Sequence, residues 1–110
     1  MIRVTLRRDA EGRLRGFDVR GHSGYAAKGS DIVCAAVSAL TQGAALGLTR
    51  HLGIPVPCGE GEGWLDCRLP ADVDPVLLVR AQDILETMRL SLEEIARGYP
   101  RHVVVEERGP

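Results

Sequence analysis

At 110 residues, 45% hydrophobic and with a formal charge of −1, the chain carries enough apolar material for one modest core and no charge excess for a polyanionic partner. A pI near 6.3 with only 4% aromatic residues argues against direct nucleic-acid binding, which depends on a basic footprint. The N-terminal MIRVTLRRD alternates in polarity and lacks the apolar centre of a signal peptide, and no apolar run reaches the length of a membrane span, so a cytoplasmic chain without membrane contact is expected.

Ile2, Val4 and Leu6 alternate with Arg3, Thr5 and Arg7, which predicts a half-buried strand over residues 2 to 8 and a turn at Asp9 to Gly12. In the returning arm Leu14 is out of phase with Phe17 and Val19, and Gly16 between them fits a bulge that shifts the register. That arm ends at Arg20-Gly21-His22, placing His22 at a strand end, where side chains reach a cleft more often than a core.

The next stretch, GHSGYAAKGSDIVCAAVSAL, carries the chemistry. Ser30 and Asp31 are both good N-cap residues before an apolar run, so Cys34 falls in or beside the first turn of a helix. There the free backbone N–H groups and the positive end of the helix dipole favour a thiolate. His22, folded back across the loop, would take the thiol proton and complete a Cys-His dyad. Gly24 and Gly29 bracket mostly small residues, a composition that suits a mobile flap over a bound peptide, with Tyr25 its only large side chain. Asp31 either caps the helix or orients His22.

The helix runs from Asp31 to about Leu52 and is apolar nearly all round, as for a central helix covered on most sides. Val33, Val37, Leu40, Ala44 and Leu48 form its core stripe, and Cys34, Ser38, Thr41 and Ala45 share a smaller, weakly polar face that suits a groove floor. Ser38 there either contacts the thiol or a substrate carbonyl, or bonds back to a helix carbonyl. Gly43 and Gly47 fit close approach by another backbone, in the second helix or a partner subunit.

Gly53, Pro55 and Pro57 end the helix, and Val56 and Cys58 open a short edge strand. The GEGEG run makes a turn into a strand in which Leu65, Cys67 and Leu69 share the buried face. Cys58 and Cys67 read as small core residues; a cross-strand disulfide and a zinc site are the lesser alternatives. Asp74-Pro75 starts a helix reaching Arg97, with a stripe of Leu77, Ala81, Ile84, Met88, Leu92 and Ile95 and an outer Glu93–Arg97 pair. A last strand spans His102 to Glu107, and His51 and His102 read as surface or edge residues. The order β-β-α-β-β-α-β defines a single-domain α+β fold over residues 1–110, with one sheet and two helices.

The pattern G-H-x-G-Y followed by G-x-D-I-V-C-A-A-V-S-A-L resembles the signature of the bacterial ribosomal-processing cysteine protease family, Prp, and the resemblance extends over essentially the whole chain. Ser23 stands where that family often has alanine. The resemblance implies a cysteine endopeptidase with a His22–Cys34 dyad, a helix-start oxyanion site and no metal or cofactor. It also implies a homodimer whose substrate is the N-terminal extension of the large-subunit ribosomal protein numbered twenty-seven, cut after a large apolar residue. The alternatives from other classes are a non-enzymatic module binding a ribosomal protein or assembly factor, and a thiol redox protein, which would want a resolving cysteine near Cys34.

Overall fold

A computed structural model describes residues 1–110. The elements are β1 (Ile2–Arg8), β2 (Leu14–Arg20), α1 (Ile32–Leu46), β3 (Cys58–Gly61), β4 (Trp64–Arg68), α2 (Pro75–Gly98) and β5 (Val103–Arg108), in the expected β-β-α-β-β-α-β order. They form one sheet in the order β3-β4-β2-β1-β5, antiparallel except for the β1–β5 pair. β1 lies inside the sheet because its alternating Ile2, Val4 and Leu6 supply a buried face while its backbone pairs on both edges. In β2, Arg7 pairs with Gly16 and Arg8 with Leu14, so Arg15 is the extra residue of the bulge expected there, and both Leu14 and Phe17 turn inward.

Both helices pack with one face of the sheet in a single core, where Val33, Val37 and Leu48 from the α1 side meet Leu78, Leu85 and Leu92 from α2. On the opposite face, buried Asp18 is held by Arg7 at 2.8 Å. At the C-terminal end of α1 the chain continues as a π-helical turn, Gly47–His51, closed by Leu52 N–H donating to the Gly47 carbonyl at 3.0 Å.

Several details differ from the sequence reading. The stretch Ile32–His51 does have the length of a membrane span, at a mean hydropathy of 1.6, and it is not covered on most sides: Ile32 and Leu46 stay 58% and 48% exposed. It is a flanking helix with one apolar side packed on the core, a distinction that an all-round apolar composition conceals. No second backbone approaches either helix glycine: Gly47 makes room for the Ile84 side chain of α2, and Gly43 faces open space.

The buried line of α2 runs through Leu78 and Leu85, and Leu77, Ile84 and Ile95 are only half-buried at its flank. Heptad-like spacing fits both registers, and only packing selects one. Arg97 pairs with Glu94, and Glu93 with Arg89 at 3.1 Å, replacing the expected Glu93–Arg97 pair.

Gly59 and Gly61 lie within β3 and leave space for the Trp64 ring, so the turn itself is confined to Glu62-Gly63. Cys58 is exposed, not core, because β3 is the sheet edge. It sits opposite buried Cys67, with Cα atoms 4.4 Å apart, and the two are joined as a disulfide.

Truncating Leu85 to alanine should cost roughly 2–5 kcal/mol, and truncating half-buried Leu77 clearly less, in urea denaturation read with an unchanged m value. Equal losses would contradict the register of α2 described here.

Candidate active site

The loop from Gly21 to Asp31 leaves β2 and returns to α1 beside its own starting point. Asp31 makes that return possible. Its Oδ1 accepts from the N–H groups of Val33 and Cys34 at 3.0 and 2.9 Å, capping α1, and its Oδ2 accepts from the Ser23 hydroxyl and from Ala26 N–H, the latter at 3.3 Å. These donors, first the Ser23 hydroxyl and then the Cys34 and Ala26 amides, hold the Asp31 carboxyl well below the usual carboxylate range. Both oxygens are used and neither meets His22, so the geometry of Asp31 is that of a cap. The Val33 and Cys34 N–H groups at the helix start are correspondingly occupied.

Ser23, buried at 2% exposure, is the second organising residue. Its N–H donates to Cys34 Sγ at 3.3 Å, and its hydroxyl accepts from Tyr25 N–H at 3.1 Å. Cys34 is half-buried and is the one free thiol.

A cleft of about 540 Å³ opens over this sulfur, lined by His22, Gly24, Gly29 and Asp31, by Cys34 and Ser38 of α1, and by the Glu62-Gly63 turn. A second, smaller cavity of about 210 Å³ shares His22, Cys34 and Ser38 with the first and is also lined by Thr41, Trp64 and Leu65. Lys28 reaches across the mouth to Glu62 at 2.9 Å.

Two glycines allow close approaches beside the histidine, and one of them gives its space to the ring. Gly21, at φ +90°, stands against the Met1 carbonyl, where a Cβ would collide. Gly63, at φ +72°, donates its space to the imidazole: a Cβ there would lie 2.9 Å from His22 Nε2. Gly21 N–H also donates to the Gly63 carbonyl at 2.8 Å, fastening the end of β2 to the β3–β4 turn.

His22 and Cys34 thus share one cleft without a hydrogen bond between them. Ser38 lines the cleft floor, but its hydroxyl accepts from Gln42 at 2.8 Å and touches neither the thiol nor a helix carbonyl; Thr41 makes the back-bond, to Val37, at 2.9 Å. Gly24 and Gly29 both take positive φ, +70° and +89°. Tyr25 does not line the cleft: its ring turns outward to meet Tyr99 and His102 edge to face, each at 5.5 Å, because those rings offer the nearest apolar cover. His102, read from sequence as a surface residue, is half-buried, and its Nδ1 bonds the Ser23 carbonyl at 2.8 Å. Nothing local in the sequence marks that contact, since 79 positions separate the two residues.

A thiol at a helix start, an imidazole across the cleft and an open groove define a cysteine peptidase of α+β architecture. The sequence profile described as "Cysteine protease Prp" matches residues 1–104. The "Ribosomal processing cysteine protease Prp" of Bacillus subtilis (strain 168) is 35% identical over 101 residues, covering 90% of each chain. Among solved structures, the ribosomal processing protease Prp from S. aureus, in complex with a covalently linked product peptide, superposes with a TM-score of 0.87 at 25% identity, over 98% of this chain and 100% of that one. SMU.848 from Streptococcus mutans gives 0.79 at 25% identity, over 100% and 96%. The chain belongs to the Prp family of cysteine proteases.

Gly63→Ala should displace His22 and lower kcat/KM by roughly a hundredfold, while the left-handed backbone costs only about 1–2 kcal/mol of stability. Activity within a fewfold of wild type would separate Gly63 from the imidazole's position. For Asp31, the depressed carboxyl contributes stability that is fully present above about pH 4 and is lost as pH falls through its lower folded value. The stability gap between wild type and Asp31→Asn should therefore be widest near neutrality and shrink on acidification. A gap constant from pH 7 to pH 2 would contradict this.

Proposed function

We propose that this protein removes the N-terminal extension of a bacterial large-subunit ribosomal protein, the one numbered twenty-seven, by a His22–Cys34 dyad working in the cytoplasm. The single observation that carries the reading is that the one free thiol and His22 face the same open cleft, from opposite ends of one loop. The relatives processing ribosomal proteins, one of them solved with a covalently linked product peptide, support the substrate class.

In the reaction, the Cys34 sulfur bonds to the scissile carbonyl carbon as the thiol proton passes to His22. His22 then delivers that proton to the departing amine, leaving an acyl thioester. Water, deprotonated by the same imidazole, attacks the thioester and releases the acid and the thiol. The second cavity, with Val19, Val37, Trp64 and Leu65 in its lining, supports a large apolar residue before the cut. Formation of the dyad brings the imidazole onto the sulfur when substrate fills the cleft, since catalytic hydrogen bonds tighten in the complex. Flap-like opening of the loop beyond the anchored Ser23, residues 24–30, would release the Lys28–Glu62 pair, which is exposed and therefore weak.

Ile32, Ala35, Ala39, Gly43 and Leu46 lie exposed along one side of α1 at helical spacing, and that apolar line supports a homodimer. Cys58 and Cys67 pair with each other across β3 and β4, not with Cys34, which leaves the redox reading without a resolving cysteine.

Cys34→Ala and Cys34→Ser should abolish cleavage of the extended precursor while the fold persists, and His22→Ala should lower the rate by roughly 10²–10⁴-fold. The assay is mass spectrometry of the products over time. Turnover by Cys34→Ala comparable with wild type would overturn the mechanism, and a wild-type protein that binds the precursor without cutting it would leave the binding module.

A further inference from the structure

Residue 23 is held at both ends of its backbone. Its N–H donates to Cys34 Sγ at 3.3 Å, and its carbonyl meets His102 Nδ1 at 2.8 Å. A carbonyl oxygen has no proton to give, so Nδ1 carries the hydrogen and the tautomer of His102 is fixed. His102 is itself anchored: its N–H donates to the Tyr99 carbonyl at 2.9 Å, and its carbonyl accepts from Ile2 N–H at 2.8 Å. The imidazole therefore stands on a turn tied both to the end of α2 and to the start of β1.

From these contacts we infer that His102 is a positioning residue of the peptidase, which fixes residue 23 through its carbonyl so that the Ser23 N–H points at the nucleophilic sulfur. The inference rests on the reading of Cys34 as the nucleophile. A hydrogen bond to an anionic acceptor is stronger than one to its neutral form, so an N–H held on the sulfur favours the thiolate over the thiol. His22 adjoins residue 23, and the same anchor sets the point from which its imidazole enters the cleft. Both bonds of residue 23 are backbone bonds, so the device does not require serine there; the Ser23 hydroxyl serves Asp31 instead.

The titratable groups that line the cleft over the sulfur are His22 and Asp31, with Lys28 and Glu62 on the rim. Those against the His102 ring are the phenol of Tyr25 and, behind it, that of Tyr99. None of them other than His102 bonds the Ser23 carbonyl.

The test is the pH dependence of Cys34 alkylation by iodoacetamide in the full chain, with Cys58→Ser and Cys67→Ser as a common background. His102→Ala should move the profile upward by about one pH unit, a roughly tenfold slower reaction near neutrality, and leave the alkaline plateau unchanged. His102→Asn, whose amide nitrogen occupies the place of Nδ1 and can still donate, should retain most of the wild-type profile. His102→Gln, whose amide lies one bond further out, should behave like alanine. A His102→Ala profile superimposed on wild type overturns the inference; where that variant does not fold, equal profiles for the asparagine and glutamine variants overturn it instead. Alkylation needs no substrate, so the two readings separate. A full His102 effect in a protein that cuts nothing would sink the peptidase reading alone, and superimposed profiles in an active peptidase would sink this inference alone.

Discussion

The site depends on one carboxylate. Asp31 closes the N-terminus of α1 with one oxygen and gathers Ser23 and Ala26 with the other, so a single anion converts an eleven-residue excursion into a loop whose two ends meet. Without a cap, the first turn of α1 would leave its N–H groups unsatisfied, and the loop would have no fixed point against which to fold back. The cap also settles a competition. An anion beside a sulfur opposes thiolate formation, but the charge of this one is engaged by four hydrogen-bond donors, and the Ser23 N–H donates to the sulfur.

Around that point three distant junctions converge. The β2–α1 loop supplies both the imidazole and the thiol, the β3–β4 turn supplies the glycine that accommodates the imidazole, and the α2–β5 turn supplies the histidine that holds the loop's backbone. The sheet order makes this possible: β2 lies between β1 and β4, so its end is next to the Gly63 turn on one side and the start of β1 on the other. Rigid strands thus carry the chemistry at their ends, where groups can face solvent without disturbing the core.

What was legible in the sequence was whatever local periodicity and capping determine. The alternation in Ile2–Arg8, the Leu14 phase break and the Asp74-Pro75 start each produced the corresponding element, and His22 and Cys34, which helix-start chemistry and the glycine loop between them single out, line one cleft. The failures were all questions of packing between elements. Leu77 and Leu78 fit helical spacing equally well, Cys58 could be placed on the sheet edge only once the strand order was known, and Tyr25 had no visible neighbours until α2 and β5 came to it. Ser23 and His102 were missed for the same reason. Their importance lies in backbone groups and long-range contacts, neither of which leaves a residue-type signal in the chain.

The central claim is that Cys34 forms a covalent acyl intermediate with a ribosomal-protein precursor. Its most direct measurement is acid-quenched intact mass spectrometry of this protein mixed with the extended form of the large-subunit protein numbered twenty-seven. The account predicts a transient adduct equal to the extension less one water, mapping to the peptide that contains Cys34 and accompanied by the shortened ribosomal protein. Shortened product with no adduct at any time, or an adduct on Cys58 or Cys67, would contradict it.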